Sequence, residues 1–270
     1  MNINYHVHTP LCNHATGSML DYIREAIRLG LKEICFLDHL TLNPADRGLS
    51  MTPEEVALYV QAARNLAHRF RDEIGVKVGL EIDFHPDFIA LFTHIAKTFD
   101  FDVIGGSVHY LGPMDIVTRR GDWKSGKGDT DAVYGHYFEV LHRMLDHDFF
   151  DMVCHFDLLK KFGRLPDESF ESEIDGLLTR IKDKGLALEV NTSGYGHPVG
   201  EAYPSGKILC KCFRHGIPIT LGSDAHRPDQ LISHYDNARA LITAAGYTHL
   251  STFSRRQRGR IPINHPTGDP

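Results

Sequence analysis

Hydrophobic positions along the chain follow two patterns: short apolar runs rich in branched side chains, and longer stretches with helical spacing. The two patterns take turns, so that a helical stretch follows most of the apolar runs. Strands that alternate with helices are typical of right-handed βαβ units and a parallel sheet. The predicted strands cover residues 3–8, 33–38, 76–82, 101–109, 151–155, 186–191 and 217–222.

Helix start and stop signals delimit the segments between the strands. The sequence TPEE at residues 52–55 is a strong start, with a threonine cap, proline at the first helical position and glutamate one turn later. Glycines follow three of the helical stretches, as expected at helix C-termini. The predicted helices cover residues 18–30, 86–97, 131–147, 168–184, 204–215 and 227–245, besides the one that starts at residue 52.

Seven strand–helix units without an eighth strand predict a barrel-like α/β sheet that departs from the usual eightfold barrel. An open doubly wound sheet is the alternative. The chain has 270 residues, of which 42% are hydrophobic and 24% charged, which suits one globular domain over residues 1–270.

Charge and cysteine content narrow the function classes. The net charge of −6 argues against nucleic acid as the main partner. The five cysteines are odd in number and scattered, and no apolar run is long enough to span a bilayer, so we expect a cytoplasmic protein without a membrane partner. The basic run Arg255–Arg260 is expected to be a solvated C-terminal segment.

Polar side chains with ligand chemistry stand at the end of every predicted strand. In α/β barrels the functional site lies at the carboxyl ends of the strands. Residues two apart on a strand point to the same side, so each of several pairs can enter one cavity. These pairs are His6 and His8, Glu81 and Asp83, His155 and Asp157, and Asp224 and His226.

Imidazoles mixed with carboxylates favour zinc, iron or manganese, whereas calcium and magnesium sites prefer oxygen ligands alone. One His-x-His pair is compatible with chance in a chain that has 18 histidines. Histidine, aspartate and glutamate at five or six successive strand ends are hard to obtain by chance. The sequence therefore predicts a metal site at the mouth of a barrel.

The motifs HVHTPLCNH, GLEID, GSVH, CHFDLLKKFG, EVNTSG and GSDAHRP, in this order, resemble the PHP (polymerase and histidinol phosphatase) superfamily, and within it the histidinol-phosphate phosphatases. The resemblance extends from residue 3 to about residue 228. It implies a distorted (β/α)7 TIM-like barrel with a trinuclear centre of three divalent metal ions, zinc, iron or manganese. Carried over by motif, the metal ligands are His6, His8, His14, His39, Glu81, His109, His155, Asp224 and His226.

Within this set, Glu81 would bridge metals, and His14, which lies beyond strand geometry, would serve a different metal from His6 and His8. The implied activity is hydrolysis of a small-molecule phosphate monoester, L-histidinol phosphate to L-histidinol in histidine biosynthesis, by attack of a metal-activated hydroxide. Asp38 and Asp157 are the catalytic candidates: each could orient a ligand histidine, and Asp157 could protonate the leaving alkoxide.

Substrate phosphate also calls for organic cations. Lys161 and Arg227 are candidates by motif position. In the histidinol-phosphate branch an arginine usually follows NTSG and is taken to grip the phosphate. Here that segment reads GYGHP, so the arginine is absent and His197 stands nearby as the third candidate. This departure puts the substrate in doubt more than the phosphatase activity.

Two other functions compete with this interpretation. A phosphoesterase could act on another phosphomonoester or on nucleotide and oligonucleotide phosphodiesters, although the acidic charge and the lack of an aromatic–basic strand platform count against nucleic acid. A non-enzymatic metal-binding module is the second alternative, and the complete set of ligand residue types argues against it.

Overall fold

Eleven strands form in the computed structural model, which describes residues 1–263. Seven of them make one parallel sheet in the order β1-β2-β3-β4-β7-β8-β9, and the other four form two antiparallel pairs, β5-β6 and β10-β11. In chain order the strands are β1 (Ile3–Val7), β2 (Glu33–Leu40), β3 (Gly75–Asp83), β4 (Val103–Ser107), β5 (Tyr110–Leu111), β6 (Met114–Asp115), β7 (Met152–Val153), β8 (Ala187–Asn191), β9 (Ile219–Gly222), β10 (His249–Ser254) and β11 (Gln257–Pro262).

The two edges of the parallel sheet meet. Just beyond β9, the carbonyl of Ala225 accepts a hydrogen bond from the amide of His8 at 3.0 Å. Val7 and Ala225 also form a parallel bridge. The sheet is thereby a closed, distorted seven-stranded barrel, and the predicted fold class is confirmed against the open doubly wound alternative.

Seven α-helices cover the outside of the barrel. Ser18 caps the first one reciprocally with Asp21, and Gly216 ends the sixth in the left-handed conformation that glycine adopts without strain. Within residues 1–263, no helix is long and apolar enough to cross a membrane. The helices are α1 (Met19–Arg28), α2 (Val56–Arg69), α3 (Ile89–Thr98), α4 (Thr130–Met144), α5 (Glu171–Asp183), α6 (Gly206–His215) and α7 (Tyr235–Ala244).

A bulge in β1 decides what this strand offers to the barrel interior. Asn4 pairs with Ile34, whereas Val7 pairs with Phe36, so three steps on β1 match two on β2. Such an extra residue re-aims the side chains that follow it. The irregularity lies between Asn4 and Val7, so Tyr5 and His6 belong to it and His8 follows it.

A hairpin closes the amino-terminal end of the barrel. At its turn, the amide of Arg255 donates to Asp102 at 3.0 Å, and the Arg256 guanidinium pairs with Asp151. Asp102 and Asp151 stand just before β4 and β7, at the end opposite the predicted site. The hydroxyl of Tyr5 accepts a hydrogen bond from the amide of Phe253 at 2.8 Å, which ties β10 to the first strand.

The seven predicted strands are confirmed, with shifts of a few residues at their ends. The helix predicted over residues 227–245 starts later, at Tyr235, because residues 228–230 form a short 3-10 turn. The expectation that Arg255–Arg260 is a mere solvated tail is wrong for the backbone, which enters β11, although most side chains of this strand are exposed. The predicted domain end at residue 270 lies outside the described residues.

We expect replacement of Asp102 by alanine to lower the free energy of unfolding by about 3 kcal/mol, because the change breaks a buried ion pair. Asp102 is 2% exposed. Its carboxylate accepts from Arg64 at 2.7 Å and from the amides of Val78 and Arg255 at 3.0 Å each. Urea unfolding of metal-depleted protein measures the loss.

The matched control is Asp100→Ala, which removes an exposed carboxylate from the same loop. We expect this change to leave the unfolding free energy within about 0.5 kcal/mol of wild type. Equal midpoints for the two variants would contradict the role assigned to Asp102 as the anchor of the hairpin.

Candidate metal centre

The carboxylate of Glu81 lies fully buried inside a cluster of imidazoles. One oxygen, Oε2, is 2.6 Å from His39 Nδ1 and 3.4 Å from His6 Nε2. The other, Oε1, is 2.6 Å from His155 Nε2 and 3.5 Å from His109 Nε2. Four histidines from four different strand ends therefore converge on one carboxylate.

The remaining predicted ligands extend this cluster toward solvent. Nε2 of His8 lies 2.9 Å from Oδ1 of Asp224, in the segment that follows β9. The ring of His14 stands 4.5 Å from that of His226 and 5.5 Å from that of His39, measured between centroids. The structure thus brings all nine predicted side chains into a single contiguous site.

Unpartnered atoms show that this cluster fits metal ions. Among the described residues, His6 Nε2, His226 Nε2, His39 Nδ1 and Glu81 Oε2 are buried without a hydrogen-bond partner. The last two atoms are only 2.6 Å apart and still form no hydrogen bond. A buried polar atom without a partner is costly, and lone pairs that converge on a common point are satisfied by a shared cation.

The ligand atoms sort into overlapping groups of three, each with all atoms within 4.8 Å of one another. Because Glu81 belongs to two groups and His39 joins one of these to a third, the arrangement suits several neighbouring ions rather than one. The groups free of cysteine are His6, His8 and Glu81; His39, Glu81 and His109; and His14, His39 and His226.

Cysteine enters two further groups. Cys12 lies with His8 and His226, and Cys154 lies with His6 and Glu189. Burial raises the pKa of the Cys12 thiol to about 12, and the nearby Asp38 carboxylate adds to the shift. The thiol is therefore protonated at neutral pH unless a cation displaces its proton.

Carboxylates behind the histidines select the ring nitrogen that faces the centre. Nδ1 of His6 lies 2.7 Å from Glu189, and Nδ1 of His8 lies 3.2 Å from Asp38. A histidine that donates from Nδ1 presents the lone pair of Nε2 to a metal. Asp83 acts on the backbone instead, since it accepts from the amide of His109 at 2.7 Å.

Glu189 was not among the predicted site residues. It is fully buried and also accepts from the amide of His155 at 3.0 Å, so it joins two predicted ligands. A side chain at Gly222 would place its Cβ 2.1 Å from the Glu189 carboxylate, so only glycine fits there. The signal in the sequence was Glu189 and Asn191, an i,i+2 strand-end pair like the four that were used.

The backbone is strained at two of these positions. His155 has φ 24° and Asp224 has φ 57°, a region that residues other than glycine rarely adopt. Burial opposes ionisation of Asp224, but His6 and His8 outweigh it and hold the pKa of this carboxyl well below its usual range. Burial and His8 lower the pKa of His226 to about 2, so its ring is neutral, the form that binds cations.

A cavity of about 540 Å³ opens outward from the cluster. Lys161 and His197, two of the predicted substrate contacts, line it, together with Arg119. Burial and, after it, the Lys161 ammonium lower the pKa of His197 to about 4. This wall of the cavity is therefore cationic, with a neutral imidazole beside the two charged groups.

Three other predicted residues do not line the cavity. Arg227 is exposed and pairs with Asp229 at 3.1 Å, so the structure does not support the predicted substrate contact. Asp38 is buried behind His8, and Asp157 lies beside Lys160 at 2.9 Å. Neither carboxyl group lines the cavity, and each contacts a neighbouring side chain, His8 for Asp38 and Lys160 for Asp157.

Comparison with known proteins gives consistent results. The model of the PHP domain family matches residues 4–193. The chain is 35% identical over 243 residues to a "probable histidinol-phosphatase" of Deinococcus radiodurans, covering 89% of this chain and 92% of that protein. It is 28% identical over 249 residues to a histidinol-phosphatase of Bacillus subtilis, covering 82% and 92% of the two chains.

The fold is also similar to a crystal structure of histidinol phosphate phosphatase from Lactococcus lactis, complexed with zinc, L-histidinol and phosphate. The TM-score is 0.82 at 24% sequence identity, and the superposition covers 96% of this chain and 98% of the other. At that identity the likeness establishes the shared barrel fold.

We expect Glu189→Gln to weaken metal binding by roughly 10- to 100-fold, the usual effect of losing a hydrogen-bond partner behind a ligand histidine. The amide has one accepting oxygen where the carboxylate offers two, so it cannot accept from both the His6 ring and the amide of His155. Competition with a chromophoric chelator measures the affinity. The control is Glu139→Gln on the exposed side of α4, which should bind metal as wild type does. Unchanged affinity in Glu189→Gln would refute the assignment.

Proposed function

The chain belongs to the PHP domain family, whose model matches most of its length, and from this premise we propose that it is a metal-dependent phosphatase that hydrolyses L-histidinol phosphate to L-histidinol. The observation that carries the proposal is the convergence of four imidazoles on the buried carboxylate of Glu81. The 35% identity to a protein described as a histidinol-phosphatase supports the choice of substrate.

We assign the nine clustered side chains to three divalent ions, zinc, iron or manganese, and Glu81, which belongs to two groups of ligand atoms, would be shared between ions. The atoms without partners and the mixture of imidazole and carboxylate support this assignment. His14 shares a group with His39 and His226 but not with His6 or His8. This supports the proposal that His14 binds a different ion from His6 and His8.

When bound, the divalent ions lower the pKa of a water molecule and neutralise the phosphoryl oxygens on which transition-state charge accumulates. The protein holds the ligands ready for this task. Asp38 accepts from Thr9 and faces His8, and Glu189 faces His6, so that neither imidazole can turn away. We assign positioning roles, rather than proton transfer, to both carboxylates.

Lys161 is the proposed phosphate contact, with His197 beside it. Among residues 1–263, no carboxylate lies within 4 Å of the Lys161 ammonium, although it borders the cavity. A cation without a partner, next to a metal centre, suits a dianionic phosphate. It also offers a replacement for the arginine that is absent after NTSG.

Asp157 supports this wall of the cavity from behind. Its Oδ2 accepts from the amide of Ser205 at 2.9 Å and pairs with Lys160 at 2.9 Å. Lys160 is 2% exposed and also bonds the carbonyl of Ala202 at 2.8 Å. Together these contacts fix the segment that carries His197, so Asp157 is a positioning residue in this proposal.

The proposal treats residues 1–270 as one phosphoesterase domain that acts on a small-molecule ester in the cytoplasm. Its direct test is phosphate release from L-histidinol phosphate by metal-loaded protein. We expect saturable turnover that chelation abolishes and added zinc or manganese restores. Single-stranded oligonucleotides, the substrate of the competing interpretation, should remain uncut.

Turnover of other phosphomonoesters without histidinol phosphate would remove the substrate and keep the enzyme class. Cleavage of oligonucleotides alone would replace the proposal with a phosphodiesterase. If His6→Ala and wild type, both metal-loaded, had the same activity, the cluster would not be the active site.

We expect Lys161→Ala to raise the KM for histidinol phosphate by roughly 10- to 100-fold, since a charge-assisted contact with the phosphate is lost. Steady-state kinetics on folded, metal-loaded protein measures the change. The matched control is Lys182→Ala, which removes an exposed lysine from α5. The same kinetic constants in all three proteins would exclude Lys161 as the phosphate contact.

A further inference from the structure

Asp46 brings a carboxylate to the cavity wall and belongs to none of the groups of candidate metal ligands among the described residues. It belongs to the loop between β2 and α2, which is anchored at both sides. The side chain of Asn43 donates to the carbonyl of Gly112 at 2.9 Å, and the Ser50 hydroxyl donates to the carbonyl of His39 at 3.1 Å. The carboxylate is therefore held on a loop that is tied directly to a predicted ligand.

The hydrogen-bond partners of Asp46 are all neutral. The Tyr110 hydroxyl donates to Oδ1 at 3.1 Å, and the amides of Gly48 and Leu49 donate to Oδ2 at 3.2 Å. No lysine, arginine or histidine nitrogen in the described part of the chain lies within 4 Å of it, unlike Asp224. A carboxylate offers about four acceptor positions, so a further donor can be accommodated and the negative charge remains uncompensated.

The opposite charge collects on another part of the wall. Lys161 and Arg119 line the cavity, and their charges lower the pKa of His197 there. Tyr110, which donates to Asp46, lines the cavity as well. The cavity lining therefore contains the cations Lys161 and Arg119 and, besides the predicted ligand Asp224, the carboxylate of Asp46 next to Tyr110.

We propose that Asp46 binds the α-ammonium group of the substrate and thereby sets the orientation of the ester in the cavity. This inference rests on the proposed histidinol phosphatase function. Histidinol phosphate carries a phosphate dianion at one end and a primary amine two carbons from the ester oxygen. With the phosphate drawn to the metals and Lys161, the cationic nitrogen is repelled from Arg119 and attracted to Asp46.

The ammonium is a better match than the imidazole of the same substrate. A primary amine is cationic at neutral pH, whereas an imidazole with a pKa near 6.5 is mostly neutral there. An ammonium also has three donors and no acceptor, which suits a carboxylate that already accepts from neutral groups.

The test compares two esters on metal-loaded wild type and Asp46→Asn. One is L-histidinol phosphate, and the other is 3-(imidazol-4-yl)propyl phosphate, which differs from it only by the absence of the amino group. We expect wild type to favour the amine-bearing ester in kcat/KM, and Asp46→Asn to reduce that preference by roughly 10-fold or more, the effect of one charge-assisted hydrogen bond. The loss should appear mainly in KM.

Phosphoethanolamine keeps the amine and lacks the imidazole. Its kcat/KM should fall with Asp46→Asn by the same factor as that of histidinol phosphate. If the imidazole ester lost as much as histidinol phosphate and phosphoethanolamine did not, the bound cation would be the imidazolium and the inference would be overturned. A preference that is the same in both proteins would overturn it too, while turnover of histidinol phosphate by wild type kept the proposed function intact. Hydrolysis by wild type of amine-free esters alone would overturn both this inference and the proposed histidinol phosphatase function.

Asp167→Asn is the control for loss of a turn carboxylate. Asp167 is exposed and accepts from the amide of Ser169 at 2.9 Å, outside the cavity. Its substitution should leave the preference for the amine at the wild-type value. Asp46→Glu provides a second variant that keeps the charge, and it should retain more of the preference than Asp46→Asn. Equal losses in these two variants would contradict a role for the charge.

Discussion

A carboxylate buried among imidazoles is the constraint on which the rest of the structure depends. Glu81 has no access to water, and three of the four histidines around it have a buried nitrogen without a partner. Hydrogen bonds do not satisfy the whole set: His155 Nε2 bonds Oε1 of Glu81 at 2.6 Å, whereas the equally close His39 Nδ1 and Oε2 form no hydrogen bond. Cations at the points of convergence would remove the free-energy cost of burying these unpartnered polar atoms. The arrangement destabilises the fold without metal ions and is stabilised when they bind.

The architecture separates this costly end of the barrel from a stabilising one. At the amino-terminal end, Asp102 accepts from the Arg255 amide of the hairpin and from Arg64 of α2, and Arg256 of the hairpin pairs with Asp151. At the carboxyl end, polar groups are left open toward the cavity. Strand β1 serves both ends, because Tyr5 reaches the hairpin while His6 and His8 reach the centre.

Periodicity and strand-end chemistry were enough to predict a barrel-like sheet with a metal site at its mouth, and the resemblance to the PHP superfamily supplied the set of nine clustered side chains. They could not predict where the side chains that flank the ligands point. Asp157 and Arg227 follow ligand motifs, yet their side chains turn to Lys160 and Asp229, and short-range spacing carries no information on such partners. Glu189 was missed because a single carboxylate on a central strand looks like any other polar strand end. The hairpin was missed because its arginines were interpreted as solvent-exposed charges, although one of them, Arg256, pairs with Asp151.

The division between rigid strand ends and the loops above them also bears on specificity. All but one of the clustered ligands lie on a barrel strand or within a few residues of its end, so the metal geometry can persist while recognition changes. The proposed substrate contacts instead lie on connecting segments, where substitution is better tolerated. The missing arginine after NTSG fits this pattern, because Lys161 can supply the positive charge from the neighbouring segment. When loops supply the substrate contacts and strand ends supply the metal ligands, the loss of one contact residue leaves the metal chemistry in place. Recognition of the substrate then depends on whether other loop residues still provide the cation and the carboxylate.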